Sequence, residues 1–278
     1  MVPVSSVITC CITLFVSLIL PVLALLVFAL KCKKQGILSA WLLGAAGFFV
    51  TQILIRLPIL TALQGQSWFL NFAQNHLFAH AFSLAFTAGL FELAGRFAVA
   101  KLMQKNLTYR RSLAAGLGHG GIEAMVIVGI TYINNLAYIA MINSGTFDAT
   151  LAQAIAAGID VSQLELIRQQ LLTASPVLFL LGGFERLLAM VCHAAMSLLV
   201  CYGIAHGKSR SCALICLGIH TLLDLTAGIS MLAGTALSQT AAYCIIYTIL
   251  TAAAAVSAYL ICALCRRWRK ENTHAEEL

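Results

Sequence analysis

A chain of 278 residues that is 61% apolar and only 10% charged lies far from the roughly 25% charged, 45 to 50% apolar make-up of a soluble domain. That composition excludes a soluble globular protein. The net charge of +7 would suggest nucleic acid in a soluble chain, but the basic residues here fall in short clusters between apolar runs, which is a signal of membrane topology and gives no reason to expect a nucleic-acid partner.

The apolar runs fall at about residues 5 to 30, 37 to 60, 74 to 100, 112 to 142, 173 to 204, 211 to 234 and 240 to 264. Each is long enough to cross a hydrocarbon core of roughly 30 Å at 1.5 Å per residue. The first has no basic residue before it and ends in Lys31, Lys33 and Lys34, the reverse of the charge order in a cleavable signal peptide, so it reads as a retained span. Further basic clusters lie between the third and fourth runs (Lys101, Lys105, Arg110, Arg111), after the fifth (Lys208, Arg210) and after the seventh (Arg266, Arg267, Arg269, Lys270).

Thirteen of the 17 basic residues thus fall on one side. The positive-inside rule makes that side cytoplasmic, with the N-terminus outside and the C-terminus inside. The loop at 143 to 172 carries Asp148, Asp160 and Glu165 against a single Arg168, as an outer loop should, and the Asn106-Leu107-Thr108 sequon falls inside. The expected architecture is all-α: one seven-span helical bundle over residues 1 to 278. No internal repeat or linker interrupts it.

Pro58 and Pro176 are expected to mark the outer ends of the second and fifth spans, with Arg56 reaching outward to the surface beside Pro58. His76 and His80, four apart near the outer end of the third span, read as interfacial packing. The ten cysteines all lie in apolar runs or at their ends, which suits compact apolar filler. Cys262 and Cys265 form a lone CxxC, a weak metal signal without a second pair.

Charged groups at mid-bilayer cost at least about 2.5 to 3.5 kcal/mol each, so they mark function by default. Four spans carry them: Phe91-Glu92-Leu93-Ala94-Gly95-Arg96 in the third, Gly118-His119-Gly120-Gly121-Ile122-Glu123 in the fourth, Phe184-Glu185-Arg186 and then His193 in the fifth, and His220-Thr221-Leu222-Leu223-Asp224 in the sixth. Glu92 and Arg96, His119 and Glu123, and His220 and Asp224 are each four residues apart and share a helix face. Taken singly, each pair is explained equally well as two polar groups satisfying one another in lipid.

Depth says more. Counted from the nearest basic cluster, Glu92, His119, Glu123, His220 and Asp224 lie at roughly 12 to 21 Å, and His193 at roughly 22 Å. Four helices therefore present acid or imidazole to one layer. Glutamate with two or three histidines is the equipment for hydrolysis by activated water, and equally for a proton relay or a metal transporter. Polar residues thin out toward the outer side, which suggests a cavity open to the cytoplasm.

These motifs, in this order, resemble the YhfC-like intramembrane proteases, which are related to PrsW and more distantly to the CAAX-processing and bacteriocin-processing (CPBP) endoproteases. The resemblance covers about residues 80 to 230. It rests on Glu92 to Arg96, the glycine-rich His119 to Glu123, Arg186 to His193 with Ser197, and His220 to Asp224. Leu93 stands where many relatives have a second adjacent glutamate.

The resemblance implies a multi-pass peptidase of a bacterial-type plasma membrane, acting on a membrane-protein or lipopeptide substrate. Glu92 or Glu123 would activate water, and His193 and His220, with His119, would ligate a metal such as zinc or hold water and oxyanion without one. Arg96, His119, Arg186 and Asp224 would be supporting partners; Glu185, beside Arg186 but about 100° around the helix, reads as structural ahead of catalytic. The rival reading is a proton or metal-ion transporter using the same layer.

Overall fold

The computed structural model describes residues 1–32, 36–230 and 237–276. Lys33 and Lys34, counted above in the first basic cluster, lie outside the described residues. Seven helices are long and apolar enough to cross a membrane: Val4–Lys31, Ile37–Gln64, Leu77–Leu102, Tyr109–Ser144, Pro176–Ala205, Ser209–Ile229 and Gln239–Glu271. They are called the first to seventh spans below. The fold is all-α, because in hydrocarbon a helix satisfies its backbone groups internally.

Two spans carry a proline in their interior, and neither ends there. The first passes through a π-helical stretch, Phe15–Ile19, just before Pro21, and the second through Phe49–Arg56 just before Pro58. A proline lacks the N–H for an i→i−4 bond and crowds the preceding turn. A wider turn ahead of it relieves that crowding and lets the helix continue. Pro58 therefore does not mark the end of the second span, which runs on to Gln64. Pro176 does begin the fifth, at a position where its missing N–H has no partner to lose.

The stretch between the fourth and fifth spans folds into two further helices, Thr146–Ala156 and Ser162–Thr173. Gly145, at φ 79°, makes the left-handed turn between the fourth span and the first of them. Before the second, the Asp160 carboxylate accepts a hydrogen bond from the Ser162 backbone N–H, which favours the ionised acid and lowers its pKa.

The chain divides into two compact units. One comprises Met1–Leu23 and Ala124–Leu187. Its core holds Cys10, Tyr132, Ile139, Leu171 and Phe179. The Thr13 and Tyr132 hydroxyls both donate to the Phe179 carbonyl, each at 2.7 Å, and Asn143 Oδ1 accepts from the Val2 N–H at 2.8 Å. Arg168 pairs with Asp148 at 3.0 Å, joining the two short helices.

The other unit comprises Ala24–Glu123 and Leu188–Leu278. Its core includes Ala40, Val99, Ala114, Met196, Leu198 and Cys216, and the fifth span is buried almost continuously from Cys192 to Tyr202. The third span shows how the sequence sorts its faces. Phe82, Phe86 and Leu90, at a spacing of four, are exposed on the lipid side, while Ala85, Ala88, Gly89, Glu92, Gly95 and Arg96 are buried. Large apolar groups face lipid, and small and charged groups face the protein. The ten cysteines are free thiols, seven of them buried, as expected for filler.

Glycines set how closely these helices approach. A Cβ on Gly118 would lie 2.0 Å from the Trp41 carbonyl oxygen, and one on Gly44 would lie 1.9 Å from that of Ala115, so the second and fourth spans touch backbone to backbone. Gly116 and Gly120 do the same toward Ala194 and His193 on the fifth span. Gly118→Ala should therefore overpack a rigid contact and cost about 1 to 3 kcal/mol. Gly218→Ala, with nothing within 4 Å of the added methyl, should leave the unfolding temperature in detergent unchanged or slightly raised; equal Tm values for the two variants would contradict this packing.

Candidate functional site

One carboxylate gathers the polar side chains of the second unit. Glu92 is buried on the third span at 4% exposure, and both its oxygens are engaged. Its Oε2 accepts from His119 Nε2 at 2.9 Å, from His220 Nε2 at 2.7 Å and from the Arg96 guanidinium at 3.0 Å. Its Oε1 accepts from Gln52 Nε2 at 2.9 Å. A carboxylate offers about four acceptor positions, and Glu92 has four donors for them.

His193 stands beside this group, with Nδ1 3.7 Å from Glu92 Oε2 and 2.5 Å from an Arg96 guanidinium nitrogen. Arginine has no acceptor, so its nitrogen donates and His193 Nδ1 accepts. The ring proton must then lie on Nε2, which meets Glu123 Oε2 at 2.6 Å. Arg96 thereby fixes the tautomer that directs His193 toward Glu123. On the far side of Glu92, His220 Nδ1 lies 3.3 Å from Asp224 Oδ2, so its ring stands between two carboxylates.

The layer inferred from depth is thus a physical cluster. Glu92, Arg96, His119, Glu123, His193, His220 and Asp224 converge from the third, fourth, fifth and sixth spans. The rings of His119 and His193 stack with centroids 5.3 Å apart, and Phe48 packs edge-on to His119. Arg186 and Glu185 belong to the other compact unit, where they pair with one another although adjacent in sequence. His76 and His80 pack against Phe69 and Phe72, as expected.

Two participants were not foreseen. Gln52, buried in the π-helical stretch of the second span, donates both to Glu92 and to the Ala88 carbonyl at 3.1 Å. A lone amide inside the run Phe49 to Leu54 was the available signal, but it carries no charge to attract notice. Arg56 does not extend to the surface. It turns inward and donates to the Leu84 carbonyl at 2.7 Å and to Gln52 Oε1 at 3.3 Å. Those inward acceptors satisfy the guanidinium from within the protein.

Arg56 and Asp224 line a cavity of about 240 Å³ walled by Ala81, Leu84, Ala85, Ala88, Ala227 and Gly228. The cavity lies toward the ends of the spans away from the basic clusters, opposite to the side expected from the thinning of polar residues. Arg56 is what extends the polar layer in that direction.

The donor set suits a metal ion. One ligand atom each from Glu92, His119 and His193 lies within 4.8 Å of the others, all three residues buried, and two imidazoles with a carboxylate form a ligand set known for catalytic zinc. The cation now between His193 and Glu92 is the Arg96 guanidinium, whose Nε and Nη1 are buried without partners. Those orphaned donors mark room for an oxygen ligand.

A multi-pass helical membrane protein with a buried glutamate, histidine and arginine cluster able to hold a metal is the class that fold and site define. Residues 16–247 match the family described as YhfC intramembrane metalloprotease, and the chain belongs to that family. The membrane protein YhfC of Bacillus subtilis (strain 168), itself described as uncharacterized, is 32% identical over 180 residues, covering 64% of this chain and 68% of that one. No solved structure matches.

Gln52→Leu would remove the donor from Glu92 Oε1 and leave a buried acceptor unsatisfied, a cost of about 1 to 3 kcal/mol. Gln52→Glu would set a second carboxylate against Glu92 and should cost more. Unfolding by denaturing detergent, followed by circular dichroism, should rank wild type above Leu and Leu above Glu; stability unchanged in both variants would remove Gln52 from the cluster.

Proposed function

We propose that this chain is an intramembrane endopeptidase that hydrolyses a peptide bond of a membrane-protein or lipopeptide substrate. Its place would be the plasma membrane of a bacterial-type cell, with the N-terminus outside and the C-terminus in the cytoplasm. The observation that carries the reading is the convergence of Glu92, His119, His193 and His220 on one buried point, in a chain whose family is described as an intramembrane metalloprotease. Buried charged groups brought together from four helices exceed what mutual neutralisation in lipid requires.

The contacts divide the labour between the two glutamates. Glu92, with four donors already in place, orients the imidazoles and holds Arg96 and Gln52 around the reacting centre. Glu123, joined to His193 at 2.6 Å, is the better placed of the two to take a proton from water. The water oxygen would add to the scissile carbonyl carbon, and Glu123 with His193 would return that proton to the leaving nitrogen as the C–N bond breaks. The unpartnered Arg96 donors face the requirement for charge stabilisation on the carbonyl oxygen.

Where a metal is bound, Glu92, His119 and His193 would hold it, and it would supply Lewis-acid polarisation of a carbonyl together with an acidified water. The protein contributes an environment that excludes bulk water and fixes the imidazoles, partly through the ring contact of Phe48 with His119.

Purified protein in liposomes, incubated with candidate membrane peptides, tests this reading. Glu123→Gln and His193→Ala should lower kcat by about 10²-fold or more, the usual worth of acid–base assistance, and Glu92→Gln by at least as much. Metal content measured by mass spectrometry in wild type and His119→Ala, with activity before and after chelation, separates the metal-dependent from the metal-free form. Cleavage at the wild-type rate in all three activity variants would dismiss the assignment, and ion flux abolished by the same substitutions would replace it with a transporter.

A further inference from the structure

The cavity bounded by Arg56 and Asp224 is set at one fixed distance from the cluster on every helix that forms it. On the second span Arg56 follows Gln52 by four residues; on the third Ala88 precedes Glu92 by four; on the sixth Asp224 follows His220 by four. The third span runs opposite to the other two, so all three steps lead to the same side of the membrane. On the third and sixth spans, where the helix is regular, four residues make about one turn, about 6 Å. Glu123 stands in the same relation to His119 on the fourth span.

Hydrogen bonds and one ion-pair contact connect the two levels. Arg56 donates to Gln52, which donates to Glu92; Ala88, in the cavity wall, accepts from Gln52 through its carbonyl; and Asp224 meets His220, which donates to Glu92. Among the described residues no ion pair joins Arg56 to Asp224, although both face one cavity of about 240 Å³. Two opposite charges held apart in a low-dielectric setting leave a gap suited to a ligand that is an acceptor at one end and a donor at the other. The Arg56 Nε is buried and unpartnered.

The walls narrow the choice of ligand. The pair is neutral in sum, which disfavours a simple anion or cation. Ala81, Ala85 and Ala88 line one side and Ala227 and Gly228 another, so small walls let main chain lie close against them. An unpaired peptide unit supplies a carbonyl for Arg56 and an N–H for Asp224. We infer that this cavity is a substrate subsite that binds the unwound backbone of a membrane-spanning segment, next to the bond cut at the cluster one turn away. The inference rests on the peptidase reading for its purpose, but the binding it asserts is measurable without cleavage.

The test uses the full chain in phosphatidylethanolamine and phosphatidylglycerol liposomes with two synthetic single-span peptides carrying a photoreactive diazirine. One is an uninterrupted leucine–alanine helix; the other has a central Gly-Pro that breaks the helix and exposes backbone groups. After illumination, mass spectrometry should place adducts of the broken peptide on residues 81–88 and 224–228, at least tenfold above those of the intact helix. Ala85→Leu, and independently Ala227→Leu at an exposed wall position, should each lower capture tenfold while the circular dichroism spectrum stays that of wild type. Equal capture of the two peptides, undiminished capture in the Ala227→Leu variant, or labelling of these residues by diazirine lipid in place of peptide would overturn the subsite. Capture without cleavage would instead sink the peptidase reading and leave the subsite in place.

Discussion

A carboxylate buried in a membrane protein must have its charge answered by neighbouring side chains, and Glu92 draws those neighbours from across its unit. Its four donors come from Gln52, Arg96, His119 and His220, which lie on the second, third, fourth and sixth spans. Removing any one partner would leave a desolvated acceptor or an unpaired cation, the most damaging kind of change to a buried ionic group. The positions of four helices are thereby tied to one oxygen pair. The fifth joins through His193, held by Arg96 on one ring nitrogen and Glu123 on the other.

Such convergence needs close helices, and that is where the small residues act. Side chains as short as glutamate and histidine meet only if their backbones approach closely. Gly44 and Gly118 let the second and fourth spans touch, and Gly120 lets His193 lie against the fourth. The glycine-rich sequence around His119 is therefore part of the site's geometry even though it supplies no chemistry. Exposed Phe82, Phe86 and Leu90 complete the arrangement by turning the opposite face of the third span to lipid.

Much of this was legible in the sequence, and the reason differs for each part. The seven spans follow from apolar length, and the cluster residues from the cost of placing charge in hydrocarbon, which makes Glu92, His119, His193 and His220 conspicuous. Gln52 escaped because an amide carries no formal charge and its role depends on the rotation of its helix, which a π-helical stretch alters. Arg56 was misplaced by a rule that sends long basic side chains to the nearest interface; the rule takes no account of a carbonyl such as that of Leu84 within the side chain's reach. The cavity was invisible because empty space arises from what three helices leave unfilled.

The π-helical stretch of the second span carries a consequence for how this sequence can change length. Phe49–Arg56 accommodates its wide turn by holding, in effect, one residue more than a regular helix would over the same path. Losing one residue there would let the helix close into ordinary α geometry, so the span itself could survive the deletion. Because the lost residue is the surplus one, the helix beyond it would keep its phase, while the residues inside the stretch, Gln52 among them, would be re-aimed. Indel tolerance and retained chemistry are thus uncoupled at this point in the chain: a shortened second span could still insert and fold while losing the amide that answers Glu92.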